Sequence, residues 1–191
     1  MTLHVSQRDI GRPVRRGDHS RRPQRTVGID HPNPGIDSGH FKSVMGQFAT
    51  GVAVIAATDG PEPVGFTCQS FVSVSLLPPL VAFAAAKTSL SWPRVARGGL
   101  FCVSVLGRDQ HGACRALAVS GPDKFSSVKW QPSPRGLPIV EGAVAWVECA
   151  IDAVHDAGDH DLVVGAVLDL DWRDGEPLIY HRGELGGFAG S

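Results

Sequence analysis

The residues best suited to hold a ligand lie in GFTCQSFVSVSLLPPLVAF, positions 65–83. Their branched and aromatic neighbours have the composition of a buried strand. Yet Thr67, Gln69, Ser70, Ser73 and Ser75 bring in a polar group every second or third position, and such groups are costly to bury without partners. On a continuous strand Thr67, Gln69, Phe71, Ser73 and Ser75 share one face. Phe66, Cys68, Ser70, Val72, Val74 and Leu76 share the other, which suits a core. A polar strip of this kind faces solvent, pairs across a dimer interface or lines a ligand groove. The next segment shifts the balance towards a groove. AFAAAK (82–87) is nearly all alanine, leaving room beside the strip, and it runs into Lys87, Thr88, Ser89 and Ser91. Small side chains, hydroxyls, backbone amides, one cation and a helix start suit a flat ring system and its phosphate.

A second pattern with chemical content is VHDAGDHD (154–161). A four-residue turn would set His155 and His160 directly opposite each other, roughly 5 Å apart at Cβ, with Asp156, Asp159 and Asp161 nearby. A two-His, one-carboxylate metal site is one reading. The preferred reading is a plain hairpin in which Asp156, Gly158 and Asp159 form the turn, because strand alternation makes a third ligand hard to supply. Other chemistry is missing. No G-x-G-x-x-G follows a strand, and G-x-x-x-x-G-K-[ST], H-E-x-x-H and G-x-S-x-G do not occur. The four cysteines (68, 102, 114, 149) form no C-x-x-C pair, so buried free thiols are expected.

The elements that must position the strip are short. Phe41, Val44, Met45 and Phe48 have helical spacing, with Ser38 as N-cap and Gly51 just past the end. Strands are expected at 51–58, 64–76, 80–86, 101–106, 143–155, 160–172 and 177–182, with turns at DGPEP, DAGD and RDGE. Helices are expected at 90–98, with Pro93 in the first turn, and at 108–119. Residues 120–141, with four prolines, read as a long loop. Short strands between Gly/Pro turns, with three brief helices, predict a mainly β protein built as a closed barrel.

Composition bounds the rest. With 191 residues, 42% hydrophobic and 19% charged, the chain is long enough for one domain with a real core. The net charge of −1 is uneven: residues 1–40 hold seven Arg and four Asp, and the remainder 11 basic and 15 acidic residues. The body is therefore not expected to bind nucleic acid. Residues 1–37, rich in Arg, Pro, Gly and His, are expected to form a flexible, solvated arm. The longest apolar run, LLPPLVAFAAA, is too short and proline-broken to span a membrane, and no signal-peptide core follows the N-terminal Arg residues. A cytoplasmic protein is expected.

FKSVMGQFATGVAVIAAT, PVGFTCQSFVSVSLLPPLVAF, FCVSVL, PDKF, GLPIVEGAVAWVEC, GDH and PLIYHRG follow one another in this order and spacing. With them the chain resembles the short-chain flavin reductases, the small components of two-component flavin-dependent monooxygenases. It is most similar to the actinobacterial type that serves aromatic- and steroid-ring hydroxylases. The resemblance covers about residues 40–185. It implies an FMN-binding split β-barrel of Greek-key type and a homodimer, with an arm at 1–37, the reductase domain at 38–185 and a tail at 186–191. It also implies that NAD(P)H passes a hydride from C4 to flavin N5, and that reduced FMN or FAD leaves for a partner monooxygenase. The flavin site would fall on Pro63, Val64, Gly65, Phe66, Thr67, Gln69 and Ser70, on Ala84, Ala85 and Ala86, and on Leu90 and Ser91. Thr67, Gln69 and backbone amides would donate to the flavin's pyrimidine edge. Since alternation puts Ser70 on the opposite face, a bend or bulge is expected there. The nicotinamide contacts would fall on His160, which would position the ring, and on Tyr180, His181, Arg182 and Gly183. Two departures from the family pattern stand out. Ala116-Leu117 replaces the usual Arg-Phe, with Arg115 one place earlier, and Leu185 replaces an aromatic after the Arg-Gly. NADH is favoured over NADPH because no Arg cluster surrounds residue 180. The alternatives are a non-catalytic flavin- or haem-binding split barrel, as carrier or sensor, and an oxidase of the pyridoxamine phosphate type.

Overall fold

A computed structural model describes residues 35–121 and 123–188. The expected arm at 1–37 lies almost wholly outside the described residues, and the compact unit that carries the site begins at Ile36. Helix α1 (Ser38–Met45) starts one residue earlier than the sequence suggests. Asp37, not Ser38, is its N-cap and accepts from the His40 amide at 2.8 Å. It ends at Gly46 rather than near Gly51.

The strands follow as β1 (Thr50–Gly51), β2 (Ala53–Asp59), β3 (Glu62–Cys68), β4 (Val72–Leu76) and β5 (Pro79–Ala86). After α2 (Trp92–Arg97) come β6 (Leu100–Val105), α3 (His111–Ala118), a 3-10 turn at Lys124–Ser127, β7 (Trp130–Pro132) and β8 (Pro138–Val140). The long strands β9 (Ala145–Ala157) and β10 (His160–Trp172) precede β11 (Leu178–His181) and β12 (Glu184–Gly187). Seven of them form one antiparallel sheet in the order β3-β2-β6-β9-β10-β5-β4. Strands β1, β11 and β12 form a small second sheet, and β7 and β8 a third.

The ladder does not close, which corrects the closed barrel to a split one. Strand β3 stands at one end of the sheet and β4 at the other, although only residues 69–71 separate them in the chain. The strand expected over 64–76 is broken there. Ser70 replaces the missing backbone partner: its hydroxyl accepts from the Ala84 amide at 2.8 Å and lies 3.3 Å from the Ala84 carbonyl. The break also overturns the face assignment beyond it. Phe71 packs on the core, while Val72, Val74 and Leu76 are exposed.

Strand β2 is buried on both faces, which is why its sequence reads as an unbroken apolar run. Ala53, Ile55 and Ala57 face the barrel interior with Phe83, Phe101, Val103 and Val163; Val54 and Ala56 face Leu117, Phe125 and Leu178 under α3. The interior is organised around Phe83, whose ring meets Phe66, Trp92 and Phe101 at centroid distances of 6.1, 5.8 and 5.3 Å. Gly165 makes room for Phe101, since a Cβ there would come within 2.6 Å of its ring. The four cysteines are buried and free as expected, and burial pushes Cys102 and Cys149 up to about 12.

One charged side chain among the described residues is fully buried. Glu148 of β9 accepts from the Ser133 hydroxyl and the Arg135 amide (3.1 Å) on one oxygen, and from Arg135 Nη1 (2.6 Å) on the other. Burial opposes its ionisation, but these donors outweigh it and hold the carboxyl below its ordinary value. Part of the stretch expected to be loop is thus the β7–β8 hairpin, pinned by a carboxylate.

Candidate functional site

Beside the seam lies a cleft of about 1000 Å³. Phe66, Thr67, Cys68, Gln69 and Ser70 form one wall, Ala84 and Ala86 the floor, and Ser89, Leu90 and His160 one rim. The far wall is the end of α3 and the turn after it, with Arg115, Ser120 and Lys124, while Tyr180, Gly183, Glu184 and Leu185 close the top. A second cleft of about 800 Å³ adjoins it and shares Gln69, Ser70, Tyr180 and Gly183; its other wall is α1 with Lys42, Met45, Gln47 and Phe48, and Arg182. Thr50 also lines it, its hydroxyl buried with no hydrogen-bond partner among the described residues.

The residues expected to hold a ligand divide into three groups. Phe66, Thr67, Gln69, Ser70, Ala84, Ala86, Leu90, His160, Tyr180 and Gly183 line the first cleft. Arg182 lines only the second. Pro63, Val64, Gly65, Ala85, Ser91 and His181 line neither. Val64 and Ala85 face the barrel core, and Ser91 is buried at the start of α2. Gly65 pairs with Ala56, and a Cβ there would meet the Ile55 carbonyl at 2.5 Å, so its place is to let β2 and β3 approach.

Hydrogen bonds refine what each group can offer. The Thr67 hydroxyl donates to the Cys114 carbonyl at 2.8 Å, so its proton is spent holding α3 and only acceptor capacity faces the cleft. This corrects the expectation of a donor. Lys87, the expected cation, is not a lining residue; its ammonium donates to Asp156 (2.5 Å) and the Gly158 carbonyl (2.6 Å), and the Asp156 carboxylate raises its pKa. The cations of the first cleft are Arg115 and Lys124. Neither was assigned to a site from sequence, although Lys124 lies in the PDKF motif. Lys124 donates weakly to the Leu117 carbonyl (3.4 Å), and burial lowers its pKa.

His160 holds the rim in a defined orientation, with Nδ1 2.7 Å from Asp159 Oδ1. It is not opposite His155, as a four-residue turn requires. Strand β9 runs on to Ala157, and the turn is only Gly158-Asp159, so His160 pairs with Ala157 and His155 with Leu162. Gly158, at φ +72°, supplies the positive φ such a two-residue turn needs.

An alanine floor, an adjoining aromatic and amide wall, and cations that form no ion pair among the described residues fit a planar ring carrying phosphate. The comparisons agree. Residues 45–189 match the family described as Flavin reductase like domain. A flavin-dependent monooxygenase reductase subunit, HsaB, of Rhodococcus jostii is 45% identical over 153 residues, covering 80% of this chain and 78% of that one. FMN reductase (NADH) SmoA of Agrobacterium fabrum is 39% identical over 155 residues, covering 81% and 88%. The solved structure of the Streptomyces globisporus NADH:FAD oxidoreductase SgcE6 with NAD and FAD fragments superposes with a TM-score of 0.76 at 37% identity, covering 80% and 93%. The chain belongs to the flavin reductase family.

Proposed function

We propose that this protein is an NADH-dependent flavin reductase that reduces FMN or FAD in the first cleft and delivers it to a separate monooxygenase component. The observation that carries this reading is the pair of adjoining clefts, each with cations that form no ion pair among the described residues: Arg115 and Lys124 in one, Lys42 and Arg182 in the other. Two phosphate-bearing ligands can lie side by side there, sharing the wall at Gln69 and Tyr180. When bound, the dihydronicotinamide supplies a hydride and the flavin ring accepts it.

The chain's part is geometry. Ala84 and Ala86 leave space over β5, Phe66 and Gln69 bound the ring, and Arg115 and Lys124 answer the phosphate. Asp159 occupies Nδ1 of His160, which leaves Nε2 to meet the nicotinamide at the rim. A nucleophile is not required, and burial holds Cys114 and Cys68 above the ordinary thiol range, in the unreactive form.

The working unit is a homodimer. Val72, Val74, Leu76 and Leu77 at the β4 edge and Leu168, Leu170 and Trp172 on β10 are all exposed, more apolar surface than a monomer usually leaves uncovered. A second copy is the occupant we assign to it. The reductase domain spans residues 38–185 with β12 continuing to Gly187, and the preceding residues are not needed for turnover. Four free thiols suit the reducing cytoplasm, and no helix among the described residues is long and apolar enough to cross a membrane.

The test is NADH oxidation by the purified chain with FMN, FAD or no added flavin. Saturable, flavin-dependent oxidation is expected. Flavin binding without oxidation of either NADH or NADPH would make the protein a carrier and remove His160 from any part in turnover.

A further inference from the structure

Arg182 occupies a backbone position that arginine rarely takes. It opens the two-residue turn between β11 and β12, closed by the His181–Glu184 pair, with φ +51° at Arg182 and +89° at Gly183. Such a turn favours Asn or Gly at its first position, because a larger residue in the left-handed region is strained. The strain is held from outside. The Arg182 amide donates to the Gly46 carbonyl at 3.1 Å, and its guanidinium donates through Nε (2.8 Å) and Nη2 to Oε1 of Gln47. Gln47 is itself fixed, for its Nε2 donates to the Ser43 carbonyl at 3.1 Å, which turns its oxygen towards the arginine.

The partner's chemistry matters more than the tie. Arg94, Arg97, Arg108 and Arg135 are all ion-paired with carboxylates. Arg182 is held by a neutral amide and has no carboxylate partner among the described residues. Gln47 takes two of the five guanidinium N–H groups, so three remain, on a full positive charge beside the second cleft. A glutamate at 47 would still offer Arg182 an acceptor oxygen, without the donor to the Ser43 carbonyl, and would cancel that charge.

Resting on the flavin-reductase reading, we propose that Gln47 is a positioning residue for the dinucleotide. It holds Arg182 in its strained turn, without neutralising it, so that the guanidinium receives the pyrophosphate of the nicotinamide cofactor. Lys42, on the same wall, adds a second positive charge.

The two roles of Gln47, tie and neutral partner, separate in two variants of the full chain. Gln47→Glu keeps an acceptor for Arg182 and adds a charge; Gln47→Leu removes the acceptor. At saturating flavin, Gln47→Glu is expected to raise KM for NADH about tenfold, the size of one charge-assisted contact, with kcat and flavin Kd unchanged. The salt dependence of that KM should flatten, because the captured cation no longer draws an anion. Gln47→Leu should raise KM by a smaller factor and keep the salt dependence. Titration of NAD+ into all three proteins reads the same contact without turnover. If Gln47→Glu binds NADH and NAD+ as well as the parent or better, the tie is only structural and the inference is overturned, with the reductase reading intact. If the parent fails to oxidise NADH while Gln47→Glu still weakens NAD+, the reductase reading falls and this inference stands.

Discussion

Glu148 and the cleft cations are two opposite uses of charge in one small barrel. Around Glu148 every polar group is answered: the Ser133 hydroxyl, the Arg135 amide and the Arg135 guanidinium all point at one buried carboxylate. Arg115, Lys124 and Arg182 instead stand at cleft walls, where Lys124 meets only a carbonyl oxygen and Arg182 only an amide oxygen. A satisfied cluster spends its electrostatics on the fold, whereas an unsatisfied one keeps them for a ligand. The difference is therefore a functional map. It predicts that substitutions in the first region change stability and leave ligands alone, and that substitutions in the second do the reverse.

The largest expected effect tests the first half. Glu148→Leu strands Ser133 and Arg135, and breaking a buried pair of this kind costs about 3 kcal/mol, somewhat less here because the arginine is partly exposed. Urea unfolding should show that loss, while the flavin Kd of the folded protein stays at the parent value. A weakened flavin Kd with unchanged stability would erase the distinction between the regions.

Lys124→Met tests the second half. Flavin affinity should fall roughly tenfold with stability within about 0.5 kcal/mol of the parent. The pH profile sharpens the assignment. Burial depresses the Lys124 pKa, so the folded protein releases this proton at a lower pH than an ordinary lysine. Affinity for a phosphate-bearing flavin should be constant on the acid side and decline as pH rises through that depressed value. Lys124→Met should lose the inflection, and its persistence would place the titrating group elsewhere. The same shift stabilises the fold in the opposite direction, since the unfolded chain binds more protons in that window and stability rises with pH.

The smallest effect lies on the boundary. Thr67 both lines the cleft and holds α3, so Thr67→Val should cost about 1 kcal/mol of stability and weaken flavin several-fold. An effect confined to either quantity would move Thr67 wholly into one region.

How far the sequence led can be judged from the same residues. The hairpin at 59–62, the place though not the register of the one at 157–160, and all three helices were legible, because Gly, Pro and helical spacing are local signals. The break at residues 69–71 carries no Gly or Pro signal and shows in the sequence only as the bend expected at Ser70 once the family resemblance is set against strand alternation; it exists because a hydroxyl from Ser70 meets β5 fourteen residues away. Strand β12 was hidden by glycines that read as a tail. The polar strip announced the cleft wall, but Arg115 and Lys124 reach it only because α3 packs across β3, a tertiary fact with no local signature. Ala85 illustrates the converse: it sits between the lining residues Ala84 and Ala86 in sequence, yet alternation turns it into the core.

The seam that Ser70 mends has a mechanical consequence. Beyond Ala82, strand β5 is laddered only to β10, and its other edge is held at a single residue by a side chain rather than by a strand. The cleft opens on that edge, so whatever settles there acts as the absent eighth partner of the sheet. Ligand occupancy and barrel closure are then one equilibrium: a flavin present at a hundred times its Kd would add about 2.7 kcal/mol to stability. After giving up reduced flavin, the protein would be at its loosest until the next flavin arrives, which favours rapid reloading of the cleft.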